Sequence, residues 1–298
     1  MILFKFFILG VFTALLFPPF FMLPLGFIIF PYIIILLKQI AIQKKIYEYF
    51  YFGFFYGLGF LLVFLSWIQN PFFTNDIIKN YAIVSLFLPI FLSLIFGVGF
   101  VFFKYLKKNY YLIIFTPFIF LAIEFVISNL FYGFPWVTFA LILSNNFLGF
   151  YLLKSFGIYV SSYLILIIFI IPSIIFFSKK YKNVKKLIIV AHFPIIIALL
   201  IILTFNNNIE IQEKKINVEV FQIFSPINNP NTKKIEEDII NKVNNSNAEY
   251  LVFAENNYPY LISDINNINI LSSIKDNKKV IIGSSRLENN KLYNSFLY

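Results

Sequence analysis

The sequence predicts a polytopic α-helical membrane bundle followed by the first part of an α/β domain, and three observations lead to this prediction. Of the 298 residues, 60% are hydrophobic and 13% are charged, and the mean hydropathy is +0.82. A soluble globular chain has about 45–50% apolar and about 25% charged residues. The apolar residues form runs near the roughly 20 residues that cross a bilayer. Only the last third of the chain mixes short apolar runs with polar segments.

Residues 1–205 are predicted to form a bundle of about seven transmembrane helices. The first two spans are short and are separated only by Pro18 and Pro19, so they could also form one broken hairpin. The predicted spans are residues 3–17, 20–37, 46–68, 81–103, 110–130, 147–177 and 187–205.

Lysine placement predicts the orientation of these spans. Residues 1–205 contain 14 Lys and Arg against 3 acids, whereas residues 206–298 contain 10 against 11. Lys79 and Lys154 lie on the other side of the predicted membrane from the remaining twelve lysines, and cytoplasmic loops carry the excess of Lys and Arg. We therefore expect a cytoplasmic N-terminus and an external tail. The twelve are Lys5, Lys38, Lys44, Lys45, Lys104, Lys107, Lys108, Lys179, Lys180, Lys182, Lys185 and Lys186.

The tail is predicted to begin with a polar linker at residues 206–215 and to continue as an α/β domain over residues 216–298. Strand-like runs lie at 216–224, 249–255, 278–286 and 291–298. Helical patterns lie between the first three, and Asn289 and Asn290 are predicted to form a hairpin turn between the last two. The order β-α-β-α-β-β predicts a mainly parallel sheet with an added antiparallel strand. Chemistry in such sheets collects at the carboxyl ends of the strands. Glu255 ends the second strand and is therefore a candidate site residue.

Other residue types limit the chemistry. The chain has no cysteine and one histidine, His192, which lies in the seventh span without an acid nearby and is interpreted as a packing or interface residue. No metal cluster, cofactor motif or Gly-rich phosphate loop is evident. The positive charge belongs to the membrane part, so it is interpreted as setting orientation and not as binding nucleic acid. Glu124 falls inside the fifth span, where a carboxylate costs about 2.5–3.5 kcal/mol, and is either functional or paired with a Tyr or Ser.

Four motifs resemble those of the apolipoprotein N-acyltransferase family. "FAENNYP" (253–259) resembles the family's W-P-E-T-A-x-P segment, and "FYGFPWVTFALILSNN" (131–146) resembles its G-F-P-W loop. "VFQIFSP" (220–226) lies where the first nitrilase strand and its Gln belong, and "IIGSSRLENNKLYNSFLY" (281–298) resembles a later strand pair. The resemblance implies a nitrilase-like (carbon–nitrogen hydrolase) tail with an α-β-β-α sandwich fold.

The resemblance also implies a function. Family members transfer a fatty acyl group from a phospholipid to the N-terminal diacylglyceryl-cysteine amine of apolipoproteins, through a Cys thioester. Glu255 then corresponds to the general base, and Phe134, Pro135, Trp136, Gln222 and Glu124 are candidates to bind substrate. The alternative for Phe134, Pro135 and Trp136 is that they form only an interfacial anchor. The implied location is the cell inner membrane, with the tail in the periplasm. The implied partners are the phospholipid donor, the diacylglyceryl-modified apolipoprotein and membrane lipid.

The chain departs from the family at several positions. The family's catalytic Lys and Cys have no counterparts, so the chain is expected to be a truncated and inactive portion of the enzyme. Phe253 and Ala254 replace the family's Trp-Pro, and Ile127 replaces an Arg of its E-W-x-R motif, which leaves the partner of Glu124 open. Two alternatives are another membrane-tethered amidase or acyltransferase, and a polytopic transporter or scaffold with a small external binding domain.

Overall fold

The computed structural model describes residues 1–40, 45–74, 78–106, 109–130, 133–178, 193, 197, 200, 215–223, 231–255, 257–262 and 278–297. The chain divides into two compact units, Met1–Ile209 and Glu210–Tyr298. His192 and nearly all of the predicted seventh span lie outside the described residues, and so does the second helical pattern of the tail. The count of seven spans therefore stays a prediction.

The first unit is helical, as predicted. Its α-helices are α1 (Ile2–Ala14), α2 (Gly26–Ile40), α3 (Ile46–Phe64), α4 (Phe87–Val101), α5 (Asn109–Asn129) and α6 (Phe147–Ser178). Short 3₁₀ helices lie at Leu23–Leu25, Ser66–Thr74, Lys79–Leu86, Phe102–Tyr105 and Phe139–Leu143.

Among the described residues, five helical segments are long and apolar enough to cross a membrane, which supports the prediction of a multi-pass membrane protein. They correspond to predicted spans two to six and are Leu23–Ile40, Ile46–Phe64, Lys79–Tyr105, Tyr110–Asn129 and Gly149–Ile174. The first predicted span is only 13 residues of helix, α1. At 1.5 Å per residue it is about 20 Å long, short of the roughly 30 Å hydrocarbon core.

Aromatic side chains fill the core of the bundle. The ring of Tyr56 in α3 lies 5.5 Å from that of Phe100 in α4 and 5.6 Å from that of Phe120 in α5. Such edge-to-face and offset contacts add to the packing that holds membrane helices together. Large apolar side chains also cover the outside of the helices, and Phe87 is 69% exposed and Val98 56% exposed. An apolar exterior of this kind suits contact with lipid.

Helices α1 and α3 approach each other closely through glycines. A Cβ atom on Gly10 would lie 2.0 Å from the carbonyl oxygen of Tyr56, and one on Gly59 would lie 2.1 Å from that of Phe7. Any larger residue would separate the two backbones, which is why small residues are common where membrane helices meet. Thr13 adds a hydrogen bond at this contact, with its Oγ1 atom 2.9 Å from the Tyr56 hydroxyl.

The second unit contains a four-stranded sheet of β1 (Val218–Phe221), β2 (Tyr250–Phe253), β3 (Lys279–Glu288) and β4 (Lys291–Leu297), in that order. Strands β1, β2 and β3 are parallel, and β4 is antiparallel to β3. The predicted mixed sheet is therefore confirmed. Helix α7 (Thr232–Asn245) follows β1 and packs Ile235, Ile239 and Val243 on the sheet.

The turn between β3 and β4 consists of two asparagines. Asn289 and Asn290 have φ angles of +49° and +57°, the left-handed values that a type I′ hairpin turn requires. Asparagine tolerates this region better than most residues. The pair Glu288 and Lys291 flanks the turn and starts the antiparallel register.

Candidate functional site

The loop at residues 133–138 follows α5 and is fixed to it. Gly133 has a φ of +79°, and a Cβ atom there would lie 2.4 Å from the carbonyl oxygen of Ser128. Only glycine meets both conditions at low cost. The next residue, Phe134, donates its N–H to the carbonyl oxygen of Ile127 at 3.1 Å. The turn that leaves α5 is thus closed by backbone bonds.

The tip of this loop is aromatic and open. Trp136 is 54% exposed and its ring lies 4.9 Å from that of Trp67, which is 41% exposed. Pro135 is also exposed, whereas Phe134 is partly buried against the aromatic core. The two indoles form an exposed pair, the type of side chain that anchors at membrane–water interfaces.

Glu124 has no access to solvent, and both of its carboxyl oxygens are engaged. Oε2 accepts the N–H of Phe139 at 3.0 Å, and Oε1 accepts the hydroxyl of Ser162 at 2.9 Å. The same hydroxyl oxygen accepts the N–H of Ala140 at 2.9 Å. The sequence left the partner of Glu124 open between a Tyr and a Ser, and the structure identifies Ser162. Direct contact between Glu124 and a substrate stays a prediction.

Ser162 was missed as a site residue from the sequence alone. It lies on α6, 38 positions beyond Glu124, and is fully buried. Its signal was weak: it belongs to a serine pair, Ser161 and Ser162, in a largely apolar helix that contains other serines. Ser161 donates to the carbonyl oxygen of Gly157 in its own helix at 2.7 Å, so of the two only Ser162 reaches across to Glu124 and Ala140.

In the second unit, Glu255 lies just beyond the carboxyl end of β2 and is exposed. Its Oε1 atom accepts a hydrogen bond from the Nδ2 group of Asn294 on β4. Gln222 follows the adjacent end of β1 and is also exposed. Because β1 and β2 are parallel, Gln222 and Glu255 lie at the same edge of the sheet. A carboxylate in this position can accept a proton from a group that approaches from solvent.

Asn257 fixes the loop that carries Glu255. It is buried, its Oδ1 atom accepts the N–H of Ile223 at 3.2 Å, and its Nδ2 group donates to the Ile223 carbonyl oxygen at 3.1 Å. The loop continues along β3, where Tyr258 donates its N–H to the carbonyl oxygen of Gly283 at 3.0 Å. The side chain of Glu255 is therefore exposed to solvent, whereas hydrogen bonds on either side hold the backbone that carries it.

Two of the tail's lysines have partners away from this edge. The ammonium group of Lys278 donates to the carbonyl oxygens of Ser246 and Ala248 at 2.6 and 3.1 Å. Lys279 bonds to the Tyr250 hydroxyl at 2.7 Å and to Glu249 at 3.0 Å, and these bonds raise the pKa of Lys279. Neither lysine contacts Glu255.

The predicted site residues fall into two groups. Glu124, Phe134, Pro135 and Trp136 belong to the first unit, and Gln222 and Glu255 belong to the second. In the first group, Glu124 accepts a hydrogen bond from Phe139, which directly follows the 133–138 loop in the chain. In the second group, the structure adds two residues that the sequence did not identify: Asn294, which bonds to Glu255, and Asn257, which holds the loop that carries Glu255.

Comparison with known proteins identifies a family for the membrane part of the chain. A family model described as the apolipoprotein N-acyltransferase N-terminal domain matches residues 9–171, which is more than half of the chain. The match includes Glu124, the 133–138 loop and Ser162. No curated protein matches the chain.

Proposed function

Because this chain belongs to the apolipoprotein N-acyltransferase family, we propose that it serves the transfer of a fatty acyl group from a phospholipid to the N-terminal diacylglyceryl-cysteine amine of apolipoproteins. The observation that carries the proposal is the family match over residues 9–171. A bundle of membrane helices suits two lipid-borne substrates, because their acyl chains need not enter water.

In the proposed reaction, the thiol gives its proton to Glu255, and the resulting thiolate attacks the ester carbonyl carbon of the phospholipid. The C–O bond breaks, a thioester forms, and the lysophospholipid leaves with the proton from Glu255. The α-amine of the diacylglyceryl-cysteine then attacks the thioester carbon and loses a proton to Glu255. The C–S bond breaks, an amide forms, and the leaving thiolate takes that proton, which regenerates the thiol. Gln222 and the 134–136 loop are proposed to contact substrate.

The chain supplies the proposed base but not the nucleophile. None of its 298 residues is a cysteine, so the thiol of this mechanism is not among them. We therefore propose that a polypeptide of these residues alone does not form an acyl-enzyme. A hydroxylamine-sensitive acyl adduct on the purified protein, detected by mass spectrometry after incubation with phospholipid vesicles, would contradict this.

The membrane part can be tested in a working enzyme. In a chimera, residues 1–205 replace the membrane bundle of an active family member, and acyl transfer to a diacylglyceryl peptide is measured. We expect transfer, and we expect Trp136→Ala in the chimera to reduce it. A folded chimera that binds neither phospholipid nor diacylglyceryl peptide would contradict the proposal.

We also propose that the protein lies in the cell inner membrane with the N-terminus in the cytoplasm and the second unit in the periplasm. The lysine bias supports this orientation. The absence of cysteine makes the test direct, because each variant carries a single thiol. A membrane-impermeant maleimide should label Lys234→Cys from outside the inner membrane and should label Lys5→Cys only after permeabilisation. The reverse pattern would refute the orientation.

The alternative of a transporter receives less support. Transport pathways are lined by intramembrane charges that meet water or substrate. Among the residues that the structure describes, the charged side chain buried in the bundle is Glu124, and protein donors enclose it.

A further inference from the structure

The carboxyl group of Glu124 occupies the N-terminus of the 3₁₀ helix Phe139–Leu143. It accepts the N–H of Phe139, the first residue of that helix, and Ser162 accepts the N–H of Ala140, the second. The first N–H groups of a helix have no partners within it. Inside a membrane protein water cannot easily replace a lost partner. Side chains from α5 and α6 therefore cap a helix that belongs to neither.

Both ends of the 133–138 loop are held by one helix. The loop begins where Phe134 donates to the carbonyl oxygen of Ile127, and it ends where Phe139 donates to Glu124. Ile127 and Glu124 are three positions apart on α5, so their groups lie on the same side of the helix. The carboxyl group is the second of the two anchors.

Bonds within the loop connect this anchor to its tip. Thr138 donates its N–H to the carbonyl oxygen of Trp136 at 3.1 Å and its hydroxyl to that of Pro135 at 3.0 Å. Only two residues separate Trp136 from Phe139 in the chain. A displacement of Phe139 is therefore passed to Trp136 and to its contact with Trp67.

We propose that Glu124 is a positioning residue that holds Trp136 against Trp67 by capping the Phe139–Leu143 helix. It acts on a lipid substrate through the loop and not by contact. The part of this inference that concerns substrate rests on the proposed function, whereas the part that concerns the indole pair does not.

The indole pair provides the measurement. Trp67 and Trp136 are the two tryptophans of the chain, and rings 4.9 Å apart are close enough for their excited states to couple. The far-ultraviolet circular dichroism of the purified protein should therefore contain an exciton couplet. The variant Trp67→Phe should abolish the couplet and so identify its source.

The decisive variant is Glu124→Ala. We expect loss of most of the couplet amplitude, because Phe139 loses its acceptor. Glu124→Gln keeps one acceptor oxygen for Phe139 and should restore much of the couplet. Ser162→Ala, which leaves Ala140 without its partner, should reduce the couplet as well. The control is Thr116→Val on the same helix, whose buried hydroxyl donates to the Leu112 carbonyl oxygen in its own helix. The couplet should stay unchanged in this variant.

A full couplet in folded Glu124→Ala or Ser162→Ala would overturn the proposal. If the alanine variant of Glu124 does not fold, Ser162→Ala decides the question, and a full couplet in that variant would overturn the proposal.

The lipid part is measured separately, as quenching of tryptophan fluorescence by brominated phospholipid in vesicles that contain the full chain. Wild-type protein should be quenched, and Glu124→Ala should be quenched differently because Trp136 has moved. Absence of quenching in wild type would count against lipid contact by the loop, and hence against the proposed function, while the couplet would still test the capping role. A change in couplet with no change in quenching would restrict Glu124 to a structural role.

Discussion

The two units treat their acidic side chains in opposite ways. In the membrane unit, Glu124 is fully buried and both of its oxygens accept hydrogen bonds. In the second unit, Glu255 is exposed and accepts one bond, from Asn294, while the buried polar contacts beneath it are made by Asn257. A buried carboxylate whose oxygens both accept hydrogen bonds stabilises the surrounding fold. An exposed carboxylate on a fixed backbone is accessible to a reactant. The enclosure of Glu124 fits a structural role, and the exposure of Glu255 fits its proposed role as a base.

The same substitution at both acids should test this comparison most strongly. Glu124→Ala leaves the N–H of Phe139 and the hydroxyl of Ser162 without their acceptor, so we expect a loss of about 2–4 kcal/mol in the free energy of unfolding. Glu255→Ala removes an exposed contact and should change stability by about 0.5 kcal/mol or less. Reversible unfolding in mixed micelles measures both. Equal losses at the two positions would contradict the comparison.

The next largest effect is expected at Asn257. Asn257→Ala removes both partners of the Ile223 backbone, at a cost of about 2–3 kcal/mol in the second unit. Hydrogen exchange of the peptide that contains β1 should accelerate. Asn294→Ala is the matched control, because its amide is exposed and its loss should leave this exchange unchanged. If the two asparagine variants exchange alike, the buried amide is not what fixes the loop.

A third prediction concerns packing in the membrane unit. Gly59→Ala places a methyl group against the backbone carbonyl of Phe7 and should destabilise the bundle by about 1–3 kcal/mol. At Gly97 the nearest atoms belong to the Phe50 side chain, which can rotate away, so Gly97→Ala should cost less. Thermal unfolding in detergent compares the pair. A larger effect at Gly97 would argue against the close α1–α3 contact.

The smallest expected effect is a pH dependence in the second unit. Tyr260 donates its hydroxyl to Glu236 at 2.9 Å, and this bond raises the pKa of the phenol above its ordinary value of about 10. The folded state therefore keeps the proton that the unfolded state loses, so stability is full below pH 10 and decreases as the pH rises beyond it. Tyr260→Phe should show a shallower decrease between pH 10 and 12. An identical pH profile would remove this bond from consideration.

The sequence predicts the large features of the fold because they depend on composition along the chain. Runs of apolar residues identify spans two to six, and the order of strand patterns and turn residues identifies the mixed sheet. The 3₁₀ helices Ser66–Thr74 and Lys79–Leu86 were not predicted, because both are short segments of mixed polar and apolar residues beside apolar runs, and such a pattern does not distinguish a 3₁₀ helix from a loop.

The site was predicted as residue types and not as contacts. Glu124 was identified because an acid within a span is costly, but its partners lie 15 and 38 positions away, and no local pattern encodes that separation. Glu255 was identified by motif and by its place at a strand end. The role of Asn257 could not be predicted from the asparagine-rich segment. Asparagines are common in solvated loops, and the sequence does not show which of them is buried and bonds to the backbone.

The asparagine turn between β3 and β4 also determines the order in which the sheet can assemble. A hairpin closed by two residues forms in about 1–10 μs, whereas the pairing of Val218 with Tyr250 must first close a long crossover that includes α7. Yet β3 and β4 follow β2 in the chain, so during synthesis the fastest element of the four-stranded sheet emerges last. Until then β2 presents an unpaired edge to its surroundings, and that edge can pair wrongly during synthesis.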